Sequence, residues 1–281
     1  MKRIRFILWT LLFGFALAAC GKTTIVPEAS GGPRIVQTPT PEEAPVTPTA
    51  GEAQPAVETP TPEEPEEALP TEAEEAAPSP AELLYLGHAS LRIKTAEGKF
   101  IYVDPFFGNA YDQPADLILR THSHYDHADM DKVSVRSEDC VIITEKEALA
   151  GGSHQSSEEA GVQIEAVEAG NNANHSIKNC VGYVLTFSDG VRLYISGDTS
   201  ETGQMKELKD IDYAFFCCDG VYNMGMEEAS RCAALVGAAH SIPYHMVPSD
   251  NTAGFDRSVA ERFEAEGRII LEPGEILVLE K

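Results

Sequence analysis

Residues 121–129 read Thr-His-Ser-His-Tyr-Asp-His-Ala-Asp, setting His122, His124, Asp126, His127 and Asp129 close together in a chain with eight histidines. Imidazole nitrogens and carboxylate oxygens at this density are ligands for divalent cations. A catalytic zinc takes about four ligands and leaves one place for water. The stretch therefore holds more than one site needs and too little to close two. It follows the apolar run DLILRT (116–121), so its first histidines stand at a strand end. Side chains two apart on an extended strand point to one face, which offers His122 and His124 to a single ion. Asp126 and His127 follow where the backbone turns and can serve a second ion a few ångströms away. Two ions about 3.5–4 Å apart are a known hydrolytic arrangement. Asp129 reads as a surface or capping residue.

The elements that must position these ligands are legible around them. LLYLG (83–87), SLRIKT (90–95) and KFIYVDP (99–105) are strand-like runs broken by turn signals. VIITEKEALAGG (141–152) reads as a strand passing into a short helix stopped by Gly151. VQIEAVEA (162–169) is a further strand. CVGYVLTF and VRLYISG are joined by Ser188-Asp189-Gly190, a hairpin signal. DYAFFCCDG is a buried strand, and MEEASRCAALVGA has helical spacing up to Gly237. HSIPYH reads as a strand, FDRSVAERFEAEG as an amphipathic helix, and RIILEPGEILVLE as two closing strands. Strands with interleaved helices over residues 81–281 predict one α/β sandwich domain.

The first 80 residues are of another kind. Lys2, Arg3 and Arg5 precede an apolar run from Phe6 to Ala19, the length of a signal-peptide core and short of a bilayer span. Leu17-Ala18-Ala19-Cys20-Gly21 resembles the lipobox of bacterial lipoproteins, with Cys20 as the lipidated residue; the alternative is an ordinary secretory signal cut near Ala19. Residues 1–20 are thus expected to direct the chain to the extracytoplasmic face of a bacterial membrane and anchor it there. Residues 21–80 repeat TPTPEE, lack aromatic residues, and carry 12 acids against Lys22 and Arg34. Such a segment buries too little apolar surface to offset its ordering entropy, and is predicted to be a disordered tether without secondary structure.

The domain itself has 33 acidic against 16 basic residues. That argues against nucleic acid as a bulk partner, since phosphate binding needs clustered Lys and Arg, but not against a small anionic substrate, for which a bound metal pair would dominate the local field. Its five cysteines form no CxxC pair and no visible disulfide framework, and Cys217 and Cys218 read as buried thiols.

Thr121-His122-Ser123-His124-Tyr125-Asp126-His127 resembles the T-H-x-H-x-D-H signature of the metallo-β-lactamase superfamily. GHAS (87–90), VDPFF (103–107), GNNANHSIKNCVGYVL (170–185), SGDTS (196–200), DGVYNMGMEEA (219–229) and IPYH (242–245) follow in order, and are similar to the branch of small metal-dependent hydrolases related to the L-ascorbate-6-phosphate lactonases. Met226 stands where relatives commonly carry proline. The resemblance implies an αββα sandwich and supplies the absent ligands. His175 takes the third-histidine place, with His154 as rival in an earlier polar loop. Asp198 takes the place of a carboxylate that bridges both ions. His245 takes the last place, with His240 as rival at a helix-to-strand junction.

The implied set is His122, His124, His175 and Asp198 on one ion, and Asp126, His127, Asp198 and His245 on the other. Zn²⁺ is the default for such ligands, and Mn²⁺ or Fe bind the same types. An ion pair would acidify a shared water and polarise an electrophile, with Asp126 orienting that water or accepting its proton. His88 is expected near the metal cleft, in contact with a ligand or substrate, unless it is satisfied in a turn. Asp104 is expected to orient a ligating histidine. Asp219, Tyr222 and Asn223 are expected at the cleft rim, contacting substrate or fixing the loop.

The expected activity is metal-dependent hydrolysis of a small-molecule ester: a lactone, phosphodiester or relative. The alternative is a tethered metal-binding or scaffold protein without hydrolytic activity, against which the retention of ligand types at all seven positions weighs. β-Lactam hydrolysis is a third option from which the branch motifs point away.

Overall fold

The computed structural model describes residues 32–37, 79–248 and 253–281. The predicted signal segment with Cys20, and the tether apart from residues 32–37 and 79–80, lie outside them. In chain order the described residues form β1 (Ile35–Gln37), β2 (Ala81–Gly87), β3 (Ser90–Lys94), β4 (Phe100–Val103), β5 (Ala115–Leu119), β6 (Arg136–Ile143), α1 (Glu145–Ala148), β7 (Ser156–Glu159), β8 (Val162–Glu168), β9 (Val181–Thr186), β10 (Arg192–Ile195), β11 (Tyr213–Cys217), α2 (Met226–Val236), β12 (His240–Tyr244), α3 (Arg257–Ala260) and β13 (Glu275–Leu279). One sheet runs β1-β13-β2-β3-β4-β5-β6, the other β12-β11-β10-β9-β8-β7. This is a mixed α/β fold built on two sheets, as the sequence predicts.

Alternation along the strands explains the layering. In β2, Leu83 and Tyr85 enter the main core, while Leu84 and Leu86 join a smaller cluster on the opposite face. β4 and β5 repeat the pattern: Ile101, Val103, Leu117 and Leu119 face the main core, and Tyr102 and Ile118 the smaller one. A one-residue slip would exchange the two sets, so register is tightly specified. β11 is buried at every position, as a central parallel strand requires. α2 adds Met226, Ala229, Cys232, Ala233 and Val236 to the main core and ends at Gly237 in the left-handed conformation. The domain's five cysteines are all free.

Parallel pairing decides where chemistry can gather. β4, β5 and β6 are parallel neighbours, and so are β10, β11 and β12. In open sheets, ligand sites lie beyond the carboxyl ends of such strands. There the chain leaves β4 at Asp104, β5 at the His122 loop, β10 at Asp198, β11 at Asp219 and β12 at His245.

Three expectations are corrected. The helix predicted over 255–267 is only α3, one turn capped by the Asp256 carboxylate. Beyond it the chain unwinds so that Phe263, Ile269 and Leu271 reach the core, and the Arg268 guanidinium donates to the carbonyls of Glu261 and Phe263. Residues 268–271 make no strand. One bridge, Ser241 with Arg268, continues the sheet beyond β12 and stops. Within the segment predicted to lack secondary structure, Ile35–Gln37 pair antiparallel with β13 as an edge strand. The polar edge strand β7 carries no apolar alternation and was not anticipated.

Candidate metal centre and cleft

After β5 the chain makes a single 3-10 turn, Tyr125–His127, in which the His127 amide donates to the His124 carbonyl at 3.1 Å. The turn sends Asp126 and His127 inward while His124 stays exposed. The loop before β9 brings His175 to meet them. Asn172 Oδ1 accepts from the backbone N–H of Asn174 (2.9 Å) and of His175 (2.8 Å), fixing the turn. Gly170, at φ +96°, lets it close, because a Cβ there would sit 2.7 Å from the Ser176 carbonyl carbon. His175 Nε2 then lies 3.1 Å from His124 Nδ1, and the His122 ring stands 4.6 Å from His124 and 5.0 Å from His175.

Asp104 organises the loop from behind. Its Oδ1 accepts the Thr121 amide at 2.8 Å, and its Oδ2 accepts the Thr121 hydroxyl at 2.7 Å and His127 Nδ1–H at 2.9 Å. A carboxylate only accepts, so His127 must donate from Nδ1. The Thr121 proton is committed to Asp104, so Thr121 Oγ1 accepts from His122 Nδ1–H at 3.1 Å. Both rings therefore turn Nε2 toward the centre, as partners behind ligating histidines do.

Asp198 occupies that centre. Gly197 precedes it at φ +60°, where a Cβ would lie 2.6 Å from the Val181 carbonyl oxygen. Asp198 Oδ1 is 3.3 Å from His127 Nε2. Its Oδ2 is 3.3 Å from His175 Nε2, 3.4 Å from His245 Nε2 and 4.0 Å from His122 Nε2. Nε2 of His122, His127 and His245 and Oδ1 of Asp198 are all buried without a hydrogen-bond partner. Buried polar atoms are normally satisfied, and converging orphans call for an ion. Two sets of ligand atoms converge, His122–His124–His175 and His88–Asp126–His127–His245, with a third, His122–His127–Asp198, between them. The donor set fits divalent cations.

The electrostatics are those of a cation site. Burial pushes the Asp198 carboxyl up, but His245 and His127 override it and hold it well below the usual carboxylate range. Burial pushes His127 down, yet Asp198 and Asp104 raise it well above its ordinary value. Burial, helped by His127, drives His122 down to about 2.

His88 Nε2 lies 3.1 Å from Asp126 Oδ2, and burial, then the His245 charge, lower its pKa to about 4. A neutral His88 donates its Nε2–H to Asp126 and fixes that carboxylate. His88, Asp104 and His245 all adopt positive φ, at 53°, 45° and 43°. Non-glycine residues there cost about 1–3 kcal/mol each and cluster at functional sites. The His88 and His245 backbones support one another through a 3.0 Å bond from the His245 amide to the His88 carbonyl.

A cleft of about 570 Å³ opens over the cluster, with His124, Asp126, His175, Asp198 and His245 in its floor and Tyr125 and Tyr222 in its walls. Asp219 is a loop-fixing residue: its Oδ1 accepts the amides of Val221, Tyr222 and Asn223, and its Oδ2 accepts the Asn223 side-chain amide. It stands 3.7 Å from His245 Nδ1. The rivals do not join the cluster. His154 is absent from every ligand group, and His240 packs its ring on Tyr213. Asp129 precedes a 3-10 turn without capping it through its side chain. Sequence reasoning missed the roles of Thr121, Asn172 and Tyr125. Asn172, three residues before His175, was a readable Asx-turn signal; the others depend on remote partners.

The two-sheet fold and its histidine–aspartate cluster define a metallo-β-lactamase superfamily protein, and the Beta-lactamase superfamily domain matches residues 82–245. A UPF0173 metal-dependent hydrolase from Thermococcus onnurineus is 33% identical over 226 residues, covering 69% of this chain and 98% of the relative. One from Nitratidesulfovibrio vulgaris is 29% identical over 228 residues, covering 69% and 94%. This chain belongs to the UPF0173 metal-dependent hydrolases. Among solved structures, a metal-dependent hydrolase from Parabacteroides distasonis is 31% identical with a TM-score of 0.54, covering 67% of this chain and 90% of that one. A metallo-beta-lactamase fold protein from Bacillus subtilis shares the fold alone, at 16% identity and a TM-score of 0.54, covering 70% and 99%.

Proposed function

We propose that this hydrolase works at a two-ion centre on a lactone, phosphodiester or related ester, outside the cytoplasm and anchored to the membrane through Cys20. The observation that carries the two-ion reading is the central Asp198, with one carboxylate oxygen near His127 and the other near His175 and His245. His122, His124, His175 and Asp198 would hold one ion, and Asp126, His127, His245 and Asp198 the other, with Zn²⁺ the first choice. Bound ions supply Lewis acidity and an acidified water. Asp126, which accepts from His88 and lines the cleft, would orient that water and accept its proton. Asp104 and Thr121 keep His127 and His122 in the ligating tautomer. The lactonase-like motifs support the ester class, and the run ending Leu17-Ala18-Ala19-Cys20 supports the anchor.

Metal analysis of the purified domain, followed by a panel of lactones, phosphodiesters and simple esters, tests the chemistry. Two ions per chain and turnover of one ester class are expected; a chain with no stoichiometric metal, or with two ions and no turnover, would sink it. For the anchor, labelled palmitate should enter the full chain at Cys20 and release of Cys20→Ala from membranes should follow. An unlabelled, still membrane-bound chain would refute it.

A further inference from the structure

The walls of the cleft differ in character from its floor. Tyr125 and Tyr222 are large, line the same cleft, and remain 62% and 41% exposed. They come from different loops, one after β5 and one after β11. Each is held in place. Tyr125 packs edge-on against Phe106 at 5.8 Å. The Tyr222 amide donates to Asp219 at 2.7 Å, and its carbonyl accepts from Asn174 Nδ2 at 3.3 Å. Rings of this size left open on fixed backbones are ready contact surface for an apolar group. The remaining wall residues, Ala173 and Asn174, are small and uncharged.

Among the described residues, the same lining contains no lysine or arginine. Its fixed charges are carboxylates, and the domain around it is strongly acidic. Any anionic group on a substrate, other than the one at the ions, would find no cationic partner on these walls.

We propose that Tyr125 and Tyr222 form the subsite for the part of the substrate that does not react, and that this part is uncharged and aromatic or alkyl. This rests on the hydrolase reading and narrows it. The substrate class is a lactone, phosphodiester or related ester flanked by an uncharged apolar group, and a second, remote phosphate would gain nothing from these walls.

Hydroxamic acids test the subsite by binding, because their head group chelates metal while the tail explores the walls. Dissociation constants would be measured on the zinc-loaded protein for acetohydroxamic acid, benzohydroxamic acid and a hydroxamic acid bearing a phosphate tail. The phenyl compound should bind about tenfold tighter than the methyl one. The phosphate compound should gain nothing over the methyl one. In the double variant Tyr125→Ala with Tyr222→Ala, the phenyl-to-methyl ratio should collapse, and Tyr125→Phe with Tyr222→Phe should restore it. Tightest binding by the phosphate compound, a ratio that survives in the alanine variant, or failure of all three to bind overturns the subsite. A protein that shows the phenyl preference but cleaves no ester keeps the subsite and loses the hydrolase reading. One that cleaves esters yet prefers phosphate tails loses the subsite alone.

Discussion

Asp104 Oδ2 and His127 Nδ1 are 2.9 Å apart, and both side chains are fully shielded from solvent. The two residues lie at the ends of different segments, one after β4 and one in the turn after β5, and their contact sets which nitrogen of His127 faces the centre. The same carboxylate fixes Thr121 and, through it, His122. One carboxylate thus orients a histidine from each of the two candidate ligand groups.

Asp104→Ala should therefore lower zinc affinity about 10- to 100-fold, as loss of the partner behind a ligating histidine does. Competition with a chromogenic chelator measures this. Unchanged affinity would show that the tautomers of His122 and His127 are set elsewhere.

Asp198→Ala should lose more metal than His88→Ala, because Asp198 stands between both ligand sets whereas His88 belongs to one of them and donates to Asp126. Metal content after gel filtration is the readout. Equal content in the two variants would remove Asp198 from its bridging role.

Gly197→Ala should destabilise the domain by about 2 kcal/mol or more, through a left-handed φ and a Cβ pressed on the Val181 carbonyl. Denaturant unfolding of the metal-free domain measures the loss without involving the ions. A change below about 0.5 kcal/mol, the range of ordinary surface substitutions, would mean the strand end relaxes freely.

Metal-free protein should be most stable near the ordinary histidine pKa and lose stability on both sides. His88 and His122 have lowered folded-state values, to about 4 and about 2. Below about 6.5 the unfolded chain takes up protons that these folded sites refuse, so stability falls toward pH 4, by up to about 1.4 kcal/mol per pH unit for each histidine. His127 is raised. Its contribution is complete below the unfolded value and is lost as pH rises through its folded value. Zinc held at His127, as proposed, would take the place of its proton, so loading should release protons and remove the alkaline decline. Unfolding midpoints across pH, with and without zinc, check the pattern.

One part of the cluster is legible because it is local: His122, His124, Asp126 and His127 occupy one loop, whereas His175, Asp198 and His245 are reached only through the family resemblance. What stayed hidden was non-local. The Thr121 hydroxyl matters only because Asp104 sits 17 residues away in sequence and within bonding distance in space. The run 255–267 has helical spacing, but only Arg257–Ala260 is helical, and beyond it Phe263 is buried in the core while Arg268 takes up the carbonyls of Glu261 and Phe263. β1 was invisible because its only signal is an apolar pair, Ile35-Val36, and its partner is the free edge of β13 at the other end of the chain.

That pairing also alters a length. The Val278 amide donates to the Arg34 carbonyl at 2.9 Å, so the chain is tied down at residues 34–37 before it enters the domain at Ala81. Residues 21–34 can extend no further than roughly 50 Å, whereas residues 21–80 could extend roughly 200 Å. A domain fastened at Cys20 would thus be on a short leash while β1 is docked and a long one when it is not. Three residue pairs at a sheet edge would set how far from the membrane the cleft can search for its substrate.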